Sequence, residues 1–395
     1  MEAHTRPIKA LMLSHYFGQH SGGIEAVAAA LARELTSRGF QVLWLASGES
    51  GDDGDRHLYR CDTLAAARTA EKLLAIPYPL LRLSAWRKIW REAARHDVIV
   101  VHDAIYMTSI IGYLAARRQR KPVLVVQHVA FVPFQSALLR ALMHVANRCI
   151  AAPLLRGADQ VIFVSERTQQ YFACLRWRRA PMLIFNGVDT NTFWPAVDTA
   201  AVQEERRSLG LPPHGALVLF VGRFVQKKGL HALEHAARAR TDVLFVFAGH
   251  GPLDPAAWRL PNVRVCKGLS GARLASLYRA SGVLVLPSAG EGFPLVVQEA
   301  LACGLVVICG SDTAAADERA APFLRAIQVE LRNPAATAAR LLAELTPLLA
   351  RGSTPAERRE RAAFAQARYS WSVSGASYAA LLQRLCAPPV ALPGA

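Results

Sequence analysis

Two glutamates, Glu291 and Glu299, stand eight residues apart around a Gly292-Phe293-Pro294 turn, inside Leu286-Pro-Ser-Ala-Gly-Glu-Gly-Phe-Pro-Leu-Val-Val-Gln-Glu-Ala-Leu-Ala-Cys-Gly304. A carboxylate only accepts hydrogen bonds, so two of them at one edge suit a ligand rich in hydroxyls, such as a sugar or a ribose. Earlier in the chain, Gly222-Arg223 closes an apolar run and Lys228-Gly229 opens a helical one. Two cations beside a helix N-terminus make a natural diphosphate site, because free N–H groups, helix dipole and both side chains favour negative charge. Gly22-Gly23-Ile24-Glu25 opens a helix after the first strand, and paired glycines let the backbone approach a ligand closely. His128 follows the apolar run Val123–Gln127. Each feature also has a plainer reading: a solvated helix, surface cations, a Gly-rich turn, a satisfied buried histidine.

The elements that must hold these residues follow from periodicity. Ile8–His15, Gln41–Ala46, Val98–His102, Pro122–His128, Gln160–Ser165 and Met182–Phe185 read as buried strands. Helical stretches alternate with them at Ile24–Arg38, Tyr106–Arg120, Phe134–Arg148 and Glu166–Leu175. A second series runs through Leu217–Val221, Val243–Ala248, Val263–Lys267, Val283–Pro287 and Leu305–Cys309. Continuous apolar strands alternating with helices predict an α/β fold with parallel sheets covered on both faces. The boundary falls near Asp189–Trp194, and Pro334–Arg351, Pro355–Arg368 and Trp371–Leu385 read as helices. Val283 to Pro287 is a strand and the residues from Pro294 a helix, so Glu291 sits at a strand's carboxyl end and Glu299 inside the next helix. In open α/β sheets that edge is where ligands bind.

At 395 residues, with 52% hydrophobic and 19% charged residues, the chain suits two globular domains and excludes disorder. Seven cysteines without a CxxC pair, and an N-terminus without an apolar secretion signal, predict reduced thiols in the cytoplasm. No uninterrupted apolar run reaches the ~18–20 residues of a bilayer span. The net charge is +16, and its densest concentration is Pro79 to Arg95. On a helix Leu83, Trp86, Ile89 and Trp90 share a side, with Arg87, Lys88, Arg91 and Arg95 over the rest. That pattern fits either an anionic membrane surface or a surface helix whose tryptophans are core. Nucleic-acid binding is suggested by charge alone and is not expected, since no interleaved basic and aromatic strand supports it. His231-Ala-Leu-Glu-His235 matches a zinc-peptidase pattern, but no third ligand is spaced for it, and no metal site is expected.

The run from Leu286 to Gly304 resembles the paired-glutamate signature of the retaining glycosyltransferases of the GT-B fold, family 4 in particular. The resemblance covers essentially the whole chain. It implies two Rossmann-like domains facing a central cleft: an acceptor domain at 1–190, completed by a C-terminal helix at 370–386 that crosses back, and a nucleotide-sugar domain at 191–369. It further implies transfer of a sugar, with its anomeric configuration kept, from a UDP- or GDP-sugar to an acceptor hydroxyl. No cofactor or bound metal is then required, and the donor's phosphate takes the acceptor proton. By resemblance Glu299 binds the ribose, Glu291 contacts the transferred sugar, and Arg223 and Lys228 stabilise the leaving diphosphate. His128 contacts the donor sugar, and Gly22 and Gly23 border phosphate and acceptor. Gly222, Gly249, Gly292, Phe293, Pro294 and Leu295 complete the binding set, with Phe247-Ala-Gly-His-Gly-Pro252 near the base. Ser165 and Asn186-Gly-Val-Asp189 match family segments too, although Asn186 and Asp189 also read as caps of the interdomain turn. The chain departs from the family at Cys309-Gly-Ser-Asp-Thr-Ala-Ala-Ala-Asp-Glu318, where a paired-glycine loop ending in an acid is usual. The acceptor expected is a lipid, a lipid-linked sugar or a surface glycan, handled in the cytoplasm at the inner face of the membrane. The rivals are a GT-B nucleotide-sugar epimerase or hydrolase, and a non-catalytic binding module.

Overall fold

Apolar runs of four to eight residues become the strands because helices cover them on both faces, leaving no solvent side for polar alternation. The computed structural model describes residues 6–17, 23–48, 58–67, 78–131 and 136–387. The chain divides into two compact units, Met1–Phe185 with Trp371–Ala395, and Asn186–Ser370.

The first unit carries strands β1 (Lys9–Tyr16), β2 (Gln41–Ser47), β3 (Arg60–Leu64), β4 (Ala66–Ala67), β5 (Leu80–Leu81), β6 (Val98–His102), β7 (Val123–Gln127), β8 (Gln160–Phe163) and β9 (Met182–Leu183). Its helices are α1 (Gly23–Ser37), α2 (Leu83–Arg95), α3 (Met107–Arg118), α4 (Ala137–Ala146), α5 (Ala152–Gly157) and α6 (Glu166–Tyr171), with a π-helical turn at Asn147–Ala151. The seven-stranded sheet runs β3-β2-β1-β6-β7-β8-β9 with every pairing parallel. Ala10 and Met12 of β1 enter one core with Leu31, Leu35 and Trp44, while Leu11 and Leu13 enter the other with Ile99 and Phe163.

The second unit carries β10 (Ala216–Val221), β11 (Val243–Ala248), β12 (Val263–Cys266), β13 (Val283–Leu286), β14 (Val306–Gly310) and β15 (Leu324–Ile327). They form a parallel sheet in the order β12-β11-β10-β13-β14-β15. Around it lie α7 (Thr199–Ser208), α8 (Leu230–Ala239), α9 (Gly271–Arg279), α10 (Leu295–Ala302), α11 (Ser311–Ala314), α12 (Pro334–Arg351) and α13 (Pro355–Tyr369). In both sheets the order reverses beside the first strand, the doubly wound pattern with a ligand-binding switch point at the strands' carboxyl ends. The last helix, α14 (Trp371–Cys386), belongs to the first unit, where Tyr378, Leu381 and Leu382 share a core with Leu31 of α1. Arg38 Nη2 donates to Ser372 O at 2.9 Å and Ser374 Oγ to Phe185 O at 3.0 Å, fastening both sides of that helix.

Three expectations change. The edge strands β3 and β15 escaped the sequence reading because edges are covered on fewer sides and carry polar residues such as Arg60, Asp62 and Arg325. The helix expected at Phe134–Arg148 continues instead through the π turn, and Ala137–Gly157 is long and apolar enough to cross a membrane by length and composition, with mean hydropathy 1.2. Arg140, His144, Asn147 and Arg148 interrupt its apolar run, yet the remaining residues keep the mean at 1.2, so counting uninterrupted residues overlooked it. Finally, the apolar residues of α2 do not act as one exposed face. Leu83 and Trp86 are exposed, but Ile89 is fully buried and Trp90 packs on the core. Lys88 pairs with Asp62 and donates to Thr63 O, and Arg91 and Arg95 both reach Glu92.

Candidate functional site

In the second unit the residues after β10, β11 and β13 converge at one edge of the sheet. Gly222 N donates to Ala248 O at 3.0 Å, and Phe224 N to His250 O at 2.7 Å, so the Arg223 loop lies against the loop after β11. Gly249 has φ +148°, and a Cβ there would come within 2.0 Å of Gly222 O; only glycine permits this approach. The Lys228 turn is fixed as firmly. Gly229, at φ +74°, would place a Cβ 2.1 Å from Pro287 O, and Ala289 N donates to Lys227 O at 2.9 Å. The backbone thereby ties the cationic turn to the loop that carries Glu291.

The charges meet there. Glu291 Oε1 lies 3.2 Å from the Nζ of both Lys227 and Lys228. Both ammonium groups hold this buried oxygen by charge. Burial works against ionisation of Glu291, but the two ammonium groups outweigh it and set its pKa below the ordinary value. Burial pulls the Lys228 ammonium down, Glu291 opposes that, and Lys227 and the exposed Arg223 add to it. Two lysines on one carboxylate, with Arg223 near enough to act on Lys228, leave excess positive charge, which suits a polyanion.

Glu299 occupies a different setting, inside α10. Tyr278 Oη donates to Glu299 Oε2 at 2.8 Å, and burial pushes the Glu299 carboxyl up to about 7. Tyr278 is itself fully buried, packed edge-on to Phe193 at 5.8 Å. The turn between the glutamates is anchored by Phe293, which is buried and packs on Tyr369 at 5.4 Å. Its ring therefore serves the core, and what Phe293 offers a ligand is backbone. Gly292 and Leu295 are half-buried, and Pro294 is the extended residue that caps α10.

The first unit has a buried polar centre at the ends of β6 and β7. His128 Nε2 lies 2.9 Å from His102 Nδ1. Burial holds His128 well below the ordinary imidazole range, helped by His102 and His15, and pushes His102 down to about 3. Both rings are therefore neutral, and they share one proton between those nitrogens. Asp103, at φ +59°, accepts from His128 N at 2.7 Å and Val129 N at 3.1 Å, which fixes the turn after β7. Burial raises the Asp103 carboxyl to about 7. His15 stacks on Tyr106 at 3.9 Å and sits 3.2 Å from Glu25. Gly23 opens α1 with open space around it, and Gly22 lies outside the described residues.

Other candidates take structural roles. Ser165 caps α6, accepting from Thr168 N and donating to Thr168 Oγ1. Asp189 accepts from Asn191 N and Thr192 Oγ1, closing its own turn. In the atypical loop after β14, Asp317 is buried and accepts from Arg368 Nη2 at 2.7 Å and from Tyr369. His231 and His235 are exposed on α8, where Glu234 accepts from Arg238 at 2.7 Å. Among the described residues no group of three His, Cys, Asp or Glu is placed to hold a metal ion. The sequence reading missed Lys227, Tyr278, His102 and Asp103. The strand-end rule that singled out His128 applies equally to His102 at the end of β6; nothing in the sequence around Tyr278 marks it.

Comparison with known proteins decides what kind of enzyme uses such a site. The profile described as Glycosyltransferase Family 4 matches residues 21–192, and that of Glycosyl transferases group 1 matches residues 201–346. The chain belongs to glycosyltransferase family 4. This family 4 glycosyltransferase is 28% identical to D-inositol 3-phosphate glycosyltransferase 2 of Catenulispora acidiphila over 81% of each chain. It is 27% identical to D-inositol 3-phosphate glycosyltransferase of Geodermatophilus obscurus, over 95% of this chain and 88% of that one. In fold it is similar to Anabaena Alr3699/HepE in complex with UDP, with a TM-score of 0.72 at 18% identity, covering 96% and 100% of the two chains. Sucrose-phosphate synthase from Thermosynechococcus elongatus gives 0.70 at 20% identity, covering 96% and 99%. The fold class is GT-B, with two parallel-sheet domains.

Proposed function

We propose that this glycosyltransferase moves a sugar from a nucleoside-diphosphate sugar to an acceptor hydroxyl, keeping the anomeric configuration. The observation that carries this reading is Lys227 and Lys228 held 3.2 Å from Glu291, with the Tyr278-bound Glu299 on the helix that follows. The donor's diphosphate takes the two lysines and Arg223, and Lys228 leaves Glu291 for it. Glu291 is then released to accept hydroxyls of the transferred sugar, and Glu299 accepts those of the ribose. As the bond from the anomeric carbon to the diphosphate oxygen breaks, the cations stabilise the charge that develops there. The departing phosphate takes the acceptor proton on the same face, so no protein base or metal is needed. The neutral His128 donates to or accepts from the donor sugar.

The acceptor in this reading is a lipid-linked sugar or a surface glycan, met at the cytoplasmic face of the membrane. The relatives named D-inositol 3-phosphate glycosyltransferase favour a second reading, a phosphorylated polyol. Incubation with UDP- and GDP-sugars and each acceptor class, followed by proton NMR of the product, tests the reaction. An α-linked product from an α-linked donor is expected, with nucleoside diphosphate released only when acceptor is present. Inversion removes the mechanism, and release without acceptor restores the hydrolase or epimerase.

A pH dependence follows from Glu299. With its pKa raised from 4.5 to about 7, the folded protein holds a proton there that the unfolded chain has lost. Its contribution to stability is therefore fully present below about pH 4.5 and fades as pH rises through 7. Donor binding runs the opposite way, because the carboxylate is the form that accepts two hydroxyls. Affinity for an intact UDP-sugar, whose diphosphate does not titrate near neutrality, rises between pH 6 and 8, and Glu299→Gln flattens the profile. A wild-type affinity that is flat or falls over that range contradicts the assignment.

A further inference from the structure

Helix α4 presents an apolar stripe that no described residue buries. Leu138, Leu142 and Val145 are 77%, 56% and 57% exposed, and the exposed Cys149 continues the line. Their spacing of four, three and four residues puts them on one face of the helix. No residue of α4 is buried. The opposite side is fastened instead: His144 stacks on Phe131 at 4.4 Å, and Asn147 donates to Ala130 O at 2.6 Å and to Tyr171 Oη at 3.2 Å. Beyond the π turn, Leu154 and Leu155 are buried in the core of the first unit. The helix is thus long and apolar enough to span a bilayer, yet its second half is locked into a folded domain and cannot leave to do so.

Charge chooses the occupant. Residues 104–158 contain seven Lys and Arg and no Asp or Glu, an acid-free stretch that includes the whole of α4 and α5. Arg148 and Arg156 are exposed on the same helical stretch. A second copy of this chain would bring the same cations against these, and like charges disfavour that contact. An apolar stripe on a helical stretch that carries arginines and no acid is instead complementary to an interface whose headgroups are anionic and whose interior is hydrocarbon. We infer that α4 lies in the surface of an anionic lipid bilayer, with Leu138, Leu142 and Val145 below the headgroups and the neighbouring arginines among the phosphates. The site moves membrane attachment from α2, whose Ile89 and Trp90 are spent on the core, to α4. It does not depend on the reaction proposed above.

The test uses the full chain and needs no substrate. Flotation with phosphatidylglycerol-containing vesicles is compared with flotation on pure phosphatidylcholine, at low and high salt. Strong binding to the anionic vesicles is expected, falling at least tenfold between about 50 mM and 500 mM salt as screening tightens. Leu138→Ser/Leu142→Ser/Val145→Ser lowers the partition coefficient at least tenfold, with circular dichroism and melting temperature retained because these side chains contact no core. Arg87→Gln/Arg91→Gln on α2 leaves it within twofold. Absence of parent binding at low salt overturns the inference, as does a triple variant that floats like the parent. A triple variant that only turns a dimer into a monomer also overturns it and assigns the stripe to a second copy.

Discussion

Glu299→Ala abolishes detectable transfer and weakens nucleotide binding about tenfold or more, a loss of ~1.4 kcal/mol or greater. The reason is the setting of the carboxylate. Tyr278 already occupies Oε2, and Oε1 is left for ribose hydroxyls, which after truncation enter a half-buried site with no acceptor. Unpaired buried polar groups typically cost ~1–3 kcal/mol each. Truncation also leaves the Tyr278 hydroxyl only its longer 3.4 Å bond to Val296 O, so a melting measurement belongs beside the titration. Tyr278→Phe separates the two effects: it keeps the carboxylate and lowers affinity less than Glu299→Ala does. Near-normal nucleotide affinity in a folded Glu299→Ala protein removes the ribose role.

The second large effect lies in turnover. Arg223→Ala lowers kcat about 100-fold, the size expected when one preorganised charge is removed from a leaving group. Arg223 is exposed, so its truncation leaves no cavity and the melting temperature holds. Lys228→Ala is at least as damaging to turnover, and it costs stability besides. It leaves Glu291, whose side chain is only 15% exposed, facing Lys227 alone. Steady-state kinetics with saturating donor measures both. A kcat within a few-fold of wild type for Arg223→Ala makes these residues surface cations.

The parts of this site visible in the sequence were those with a one-dimensional cause. Gly249 and Gly229 are legible because backbone conformation and close approach exclude every other residue, and Glu291 and Glu299 because strand, turn and helix succeed one another at fixed spacing. The parallel sheets followed from strand–helix alternation, since buried parallel strands must be apolar throughout. What escaped was set by three-dimensional neighbours. Tyr278 and Glu299 are twenty-one residues apart, and their contact depends on how α9 packs beside α10. Phe293 read as a ligand contact because it stands in the motif, but its ring was needed against Tyr369. Trp90 and Leu138 show the same limit from opposite sides: both belong to amphipathic helices, and only packing decided that the first is core and the second faces outward.

The central claim is that the carboxyl edge of β10 and β13 holds a nucleoside diphosphate between cations and carboxylates. Calorimetric titration of the wild type and of Arg223→Ala/Lys228→Ala with UDP, GDP and the corresponding monophosphates tests it most directly. The account predicts that one diphosphate binds the wild type at least tenfold more tightly than its monophosphate, and that the double variant loses this preference while still binding the monophosphate. Equal affinity of the wild type for diphosphate and monophosphate, or an unchanged preference in the double variant, would contradict it.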